Sequence, residues 1–289
     1  MSKKHHEGGG RYMDQSQSME DDVLNWLRVR GYPLEMKVAQ QFRRESRHFP
    51  FVGQGWNYVD PVTRQVRSTD VVAATGVHNY RHIREIDIMI VMECKDRTAP
   101  WIVLKDEQNI YDLEYEPHIV LSSLLPNTVP EKVVGEIFPE EVMDYYDDGT
   151  LLLSVNPGYE ICEKRNTEKS KIDYAYASTQ QVVSASLADV IPTFMRDENQ
   201  TSLPPKVVFP TVVTTAPLYE VWLDSSADLK IAQVERSSIV TRISSSSPDV
   251  MVNVVTFAAL GNFIAACDST AHMLQTANYQ KTILPESGH

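Results

Sequence analysis

Three side chains stand out for the chemistry they could do together. Glu93 and Lys95 lie two apart at the end of the run IMIVMECK, and Asp70 lies upstream in RSTDVVAA. The apolar residues 88–92 read as a core strand, and residues two apart in a strand share a face, so Glu93 and Lys95 are co-directed. Residues 66–74 and 86–94 read as an antiparallel hairpin joined by the polar stretch TGVHNYRHIRE. A symmetric loop centred between residues 81 and 82 sets Asp70 opposite Glu93, with Cβ atoms about 5 Å apart. Two carboxylates that close repel unless a proton or a cation sits between them. A hard divalent ion such as Mg²⁺, which takes oxygen ligands and usually one or two carboxylates plus a substrate phosphate, is the natural occupant.

Other residues compete with this trio. Asp87 shares the parity of Glu93 but lies about 20 Å along the strand, too far to share an ion; pairing with Arg81 or Arg84 is its ordinary role. A second triplet, Glu35-Met36-Lys37, falls on a helix, where the same spacing does not align side chains. Arg43, Arg44, Arg47, Arg64 and Arg67 read either as phosphate contacts or as solvated faces. Trp56, Tyr58 and Trp101 could stack on bases, with core packing the plainer reading. Lys169, Tyr176 and Gln180 lie on a long helix candidate that could bring them to a phosphate or to metal-bound water. His78 and His82 sit in a turn without the Glu of a zinc-protease helix. There is no GxxxxGK[ST] loop and no GxSxG serine.

The elements that must position these groups alternate. Residues 20–30 and 33–46 read as helices, the second opened by Pro33 and an early Glu. Strand-like segments follow at 51–60, 66–74 and 86–94, with 101–104 extending or adding to the sheet. Residues 151–155 are strand-like, 167–191 are a long helix candidate, and 206–224 and 230–244 are β-rich. A last strand and helix close the chain from VNVVTF onward. This alternation predicts a mixed α/β domain rather than a helical bundle.

The 289 residues suffice for a sizeable core, as one large domain or two small ones. The net charge of −12 is unevenly spread. Residues 101–150 carry two Lys and twelve Asp or Glu, against fifteen basic and thirteen acidic residues over 1–100. The acidity therefore belongs mainly to one segment, read as a solvated insertion. Cys94, Cys162 and Cys267 form no CxxC pair, which argues against a zinc or disulfide framework and fits a reducing, cytoplasmic setting. The longest apolar stretch is too short and too polar for a membrane span. Residues 1–19 read as a flexible tail without the apolar middle of a signal peptide.

The pattern TDVVAA…IVMECK resembles the PD-(D/E)XK nuclease superfamily, with its restriction-endonuclease-like fold, over residues 33–104. Thr69 stands where the name-giving motif has Pro. PLEMKVAQQF resembles the superfamily's first helix, which makes Glu35 a third acidic candidate beside its plain reading as a helix-start carboxylate. The resemblance implies a mixed central sheet flanked by helices. The fold would span residues 20–289, with an acidic insertion at 101–150 and a C-terminal β/α extension at 206–289. It implies Asp70 and Glu93 as ligands of Mg²⁺, with Mn²⁺ as a substitute, and the Cys94 backbone carbonyl as a further oxygen. Lys95 would orient or deprotonate the attacking water. Phosphodiester hydrolysis needs an activated water and a cation on the developing charge, which such a set supplies. The expected activity is an endonuclease acting on DNA, as in host defence, aided by a partner protein or homo-oligomer. The alternatives are an RNA or single-strand nuclease on the same site, or a catalytically silent scaffold.

Overall fold

In chain order the elements are α1 (Arg11–Val29), α2 (Tyr32–Glu45), β1 (Phe51–Val59), β2 (Val66–Ala74), β3 (Asp87–Lys95), β4 (Trp101–Leu104), β5 (Ile119–Leu121) and β6 (Glu160–Glu163). They continue with α3 (Tyr174–Leu187), β7 (Lys206–Thr214), β8 (Leu218–Leu223), β9 (Leu229–Val234), β10 (Arg236–Thr241), β11 (Val250–Thr256) and α4 (Leu260–Ile283). The computed structural model describes residues 11–75, 87–106, 119–121, 152, 156–164, 172–188, 206–245 and 249–283.

Strand β3 is the centre of the molecule because its sequence is apolar on both faces. Every residue from Asp87 to Cys94 is buried, as expected of a strand covered above and below. It pairs antiparallel with β2, and β2 with β1. On its other edge it runs parallel to β7 along all nine residues. Strand β11 continues the sheet parallel to β7, β10 closes it antiparallel, and β5 lies beside the start of β7. The result is a mixed seven-stranded sheet.

Alternation along β2 and β3 divides the core in two. Val71, Ala73, Ile88, Ile90 and Met92 face Leu34, Val38 and Phe42 of α2 and Phe263 and Ile264 of α4. Val72, Ala74, Met89 and Val91 face Ala175, Val182 and Val183 of α3, together with Trp101, Val103 and Leu218 from a second sheet. The order of that four-stranded sheet is β6-β4-β8-β9. The molecule is thus a mixed α/β fold. Helix α3 lies on the sheet through small residues, with Ala175, Ser178, Ala185 and Ser186 all buried. Asp173 caps it by accepting the Tyr176 N–H at 3.1 Å.

Several expectations change. The chain is helical from Arg11, so the tail read through residue 19 ends earlier. Residues 101–104 do not extend the main sheet; they pair with β6 and β8 in the second one. The acidic insertion therefore does not begin at Trp101, which is fully buried; most of the rest of it lies outside the described residues. The stretch 230–244 changes sheets at Glu235, because β9 pairs with β8 while β10 pairs with β11. The C-terminal region completes the main sheet and also supplies half of the second sheet. The helix read over 167–191 spans Tyr174–Leu187 among the described residues. The three cysteines are free. No helix among the described residues is long and apolar enough to cross a membrane.

Candidate functional site

β2 and β3 pair in the register that a symmetric loop requires, with Val71 opposite Met92 and Ala74 opposite Met89. One step further the pairing stops and side chains take over. Thr69 Oγ1 donates to the Met92 carbonyl at 3.1 Å, and the Cys94 N–H donates to Asp70 Oδ2 at 2.7 Å. The β1–β2 pairing also skips Asp70. The residue across from it is Gly55 at φ 64, a conformation glycine adopts without strain. The strands part where the two carboxylates lie.

Helix α2 reaches the same point. Gly31 at φ 85 turns the chain out of α1, Pro33 opens α2, and burial of Leu34, Val38 and Phe42 fixes its roll. Glu35, beside Leu34, is left half-buried and close enough to Asp70 and Lys95 to feel their charges. Its carboxyl is pushed up to about 7, by burial first and by Asp70 next, against the pull of Lys95. Asp70 is raised by burial, which outweighs the Cys94 N–H and Lys95. Glu93 is only 1 % exposed. Burial, with the charge of Asp70, pushes it up to about 8 although Lys95 is bonded to its Oε1. Burial works against the Lys95 ammonium, but Glu93 and Asp70 outweigh it and hold its pKa above the usual lysine value. Glu93 thus feels the other three groups, Glu35 feels Asp70 and Lys95, and Lys95 feels Glu93 and Asp70.

Three carboxylates around one ammonium leave an excess of negative charge in a covered place. Glu93 Oε2 is buried with no hydrogen-bond partner. A carboxylate oxygen in that position asks for a proton or a cation. Among the described residues no group of three or more His, Cys, Asp or Glu side chains stands in place to hold an ion. A smaller set fits Mg²⁺, which needs only one or two carboxylates and fills its remaining positions with water. The Cys94 thiol is buried with the α2 and α4 cluster, and burial holds it well above its ordinary value. The Cys94 backbone N–H reaches the site, and its thiol feels the charges of Asp70, Glu93 and Glu35.

The remaining candidates separate from this cluster. Asp87 stands at the other end of β3 and accepts from Thr75 Oγ1 at 3.1 Å. Arg43 donates to the Val52 carbonyl at 3.0 Å, Arg44 pairs with Glu45, and Arg67 pairs with Asp60 at 3.2 Å. Trp101 and Tyr58 are core residues, and Trp56 packs edge-on against Phe51. Gln180 donates to Thr241 at 3.0 Å and Tyr176 is exposed. Lys169, His78, His82, Arg81 and Arg84 lie outside the described residues.

Three residues take supporting roles that the sequence did not assign to them. Thr69, fully buried, fastens the parting strands. Tyr58 is held up to about 12, by burial and by the charge of Glu93, and its hydroxyl donates to the Gln181 carbonyl at 3.4 Å. Asp60 accepts from the Val62 and Thr63 N–H groups at 2.9 and 2.7 Å and from Ser184 Oγ at 2.9 Å. The only sequence signal for them is position: Tyr58 and Asp60 alternate at the end of β1, and Thr69 adjoins Asp70. Comparison with protein-family models, curated proteins and solved structures returns no match to this chain.

Proposed function

We propose that this chain is a Mg²⁺-dependent endonuclease that hydrolyses phosphodiester bonds in DNA, with Mn²⁺ as a substitute ion. The carrying observation is the meeting of Glu35, Asp70, Glu93 and Lys95 where β2 and β3 part, with one oxygen of Glu93 left without a partner. The resemblance of TDVVAA…IVMECK to PD-(D/E)XK nucleases supports the same reading. Asp70 and Glu93 would hold the ion, with the Cys94 carbonyl beside them and Glu35 as the third acid. When bound, the ion supplies an activated water and a positive charge next to the phosphate.

The chain's own residues do the rest. Glu93 and Asp70 favour the ammonium form of Lys95 against its burial. As an ammonium it orients the water and stabilises negative charge on the phosphate. Glu35, half-buried and raised by burial and by Asp70, is the acid placed to accept a proton at its carboxylate. The Cys94 N–H fixes the rotamer of Asp70, and the fully buried Thr69 keeps the strand ends at a set spacing. A homo-oligomer or partner protein would supply the substrate specificity.

The deciding experiment compares wild type with Lys95→Ala on duplex DNA, single-stranded DNA and RNA, each with Mg²⁺ or Mn²⁺. Wild type should cleave duplex DNA, and the variant should be slower by about 10²-fold or more. A wild type inert on every substrate overturns the enzyme reading in favour of a silent scaffold. Cleavage confined to RNA or single strands moves the substrate class. A variant as fast as wild type overturns the site.

A further inference from the structure

Helix α1 presents its apolar residues to water. Met19 is 70 % exposed, Val23 51 %, Leu24 46 %, Trp26 52 % and Val29 86 %. Of residues 18–30 only Leu27 is partly covered. Helical stability in proteins comes mostly from packing of an apolar face, and among the described residues the main packing partner of this helix is α2. At helical spacing Met19, Val23 and Trp26 fall in one row, and the next position in that row is Arg30. The Arg30 guanidinium lies 5.5 Å from the centre of the Trp26 ring, and Tyr32 packs on Trp26 at 6.1 Å. The row therefore ends in a fixed aromatic and cationic patch.

Over residues 19–30 the charges are sorted along the chain. Glu20, Asp21 and Asp22 occupy one turn, Arg28 lies in the last turn of α1 and Arg30 just beyond it, while Arg11 and Asp14 lie farther toward the N-terminus. A parallel copy would set acid on acid and base on base. An antiparallel copy sets the acidic turn of each helix beside the basic turn of the other, and brings the two apolar rows together. Val23 of one copy then meets Trp26 of the other, and Met19 lies along the aliphatic stem of Arg30. The acidic turn on the same helix repels a phosphate backbone, which disfavours nucleic acid as the occupant.

We propose that α1 is a homodimer interface, pairing antiparallel with α1 of a second copy about a two-fold axis. This rests on the exposed row and the sorted charges, and stands or falls apart from the nuclease reading.

The test measures the mass of the full chain by sedimentation velocity over roughly 1–100 µM. Wild type should sediment as a dimer and Trp26→Glu as a monomer. Two charge variants complete the test: Glu20→Lys with Asp21→Lys and Asp22→Lys, and Arg28→Glu with Arg30→Glu. Each alone should weaken self-association about tenfold or more, and an equimolar mixture should restore a dimer containing one of each. All these residues are exposed, so circular dichroism melts should stay close to wild type and separate lost pairing from lost folding. A wild-type monomer throughout the range overturns the proposal. So does a dimer that survives Trp26→Glu, or a mixture of charge variants no more associated than its parts.

Discussion

Asp60 and Glu93 are both carboxylates shut away from solvent, at 7 % and 1 % exposure, and Tyr58 feels the charge of both. They differ in what surrounds their oxygens. Burial pushes Asp60 up, but the Thr63 N–H, the Ser184 hydroxyl and the Val62 N–H outweigh it and hold the carboxyl below the usual aspartate range. Glu93 has Lys95 on one oxygen and nothing on the other, and is pushed up to about 8. Asp60 is a carboxylate whose charge the fold has already satisfied; Glu93 is one whose charge the fold leaves open. The difference teaches that burial alone does not mark a site. The mark is a buried carboxylate oxygen left without a hydrogen-bond partner, which among the described residues Glu93 has.

The largest expected divergence is in catalysis. On the proposed nuclease reading, Glu93→Gln should lower DNA cleavage by about 10²–10³-fold or more, whereas Asp60→Asn should cleave within about fivefold of wild type per folded molecule. Cleavage rates on one labelled duplex, normalised to folded protein, make this measurement. Equal losses would erase the distinction. Stability should diverge in the opposite sense. Asp60→Ala leaves buried donors unmatched and should cost about 2–4 kcal/mol in urea unfolding, whereas Glu93→Gln should change it by about 1 kcal/mol or less without metal.

The smallest effect is on the pH dependence of stability, measured in chelator. Glu93 titrates near 8 in the fold against an ordinary 4.5. Between those values the folded protein holds a proton that the unfolded chain has released, so stability should fall as pH rises from about 5 to 8. Glu35, pushed up to about 7, adds to that fall, so Glu93→Gln should reduce it without abolishing it. Asp60 acts the other way: its contribution is full above the ordinary aspartate range and is lost as pH drops below it. A wild-type curve that rises between pH 5 and 8 would sink the assignment for Glu93.

The contrast also explains what could be read from sequence. The hairpin register was legible because strand parity and a symmetric loop fix which residues oppose, and Asp70 and Glu93 follow from that arithmetic. The mixed α/β character was legible from the alternation of elements. The approach of Glu35 was only half legible. Its place on a helix is local, but its meeting with Asp70 depends on how α2 rolls onto β2 and β3 through Leu34, Val38 and Phe42. The second sheet was not legible, because β4 finds its partner β8 more than a hundred residues later and nothing local names that partner. The satisfied state of Asp60 was hidden too, since Ser184 comes from a helix far along the chain.

The parallel pairing of β3 with β7 has a consequence in time. Glu93 and Lys95 are set opposite Val212 and Thr214, so the strand bearing the site lacks one neighbour until the ribosome has passed residue 214. Contacts that distant in sequence form late and slowly. Until then β3 is an uncovered apolar edge, the kind of segment on which nascent chains misassociate. A chain cut off after α3 would carry Glu35, Asp70, Glu93 and Lys95 and still lack the support that holds β3 in place.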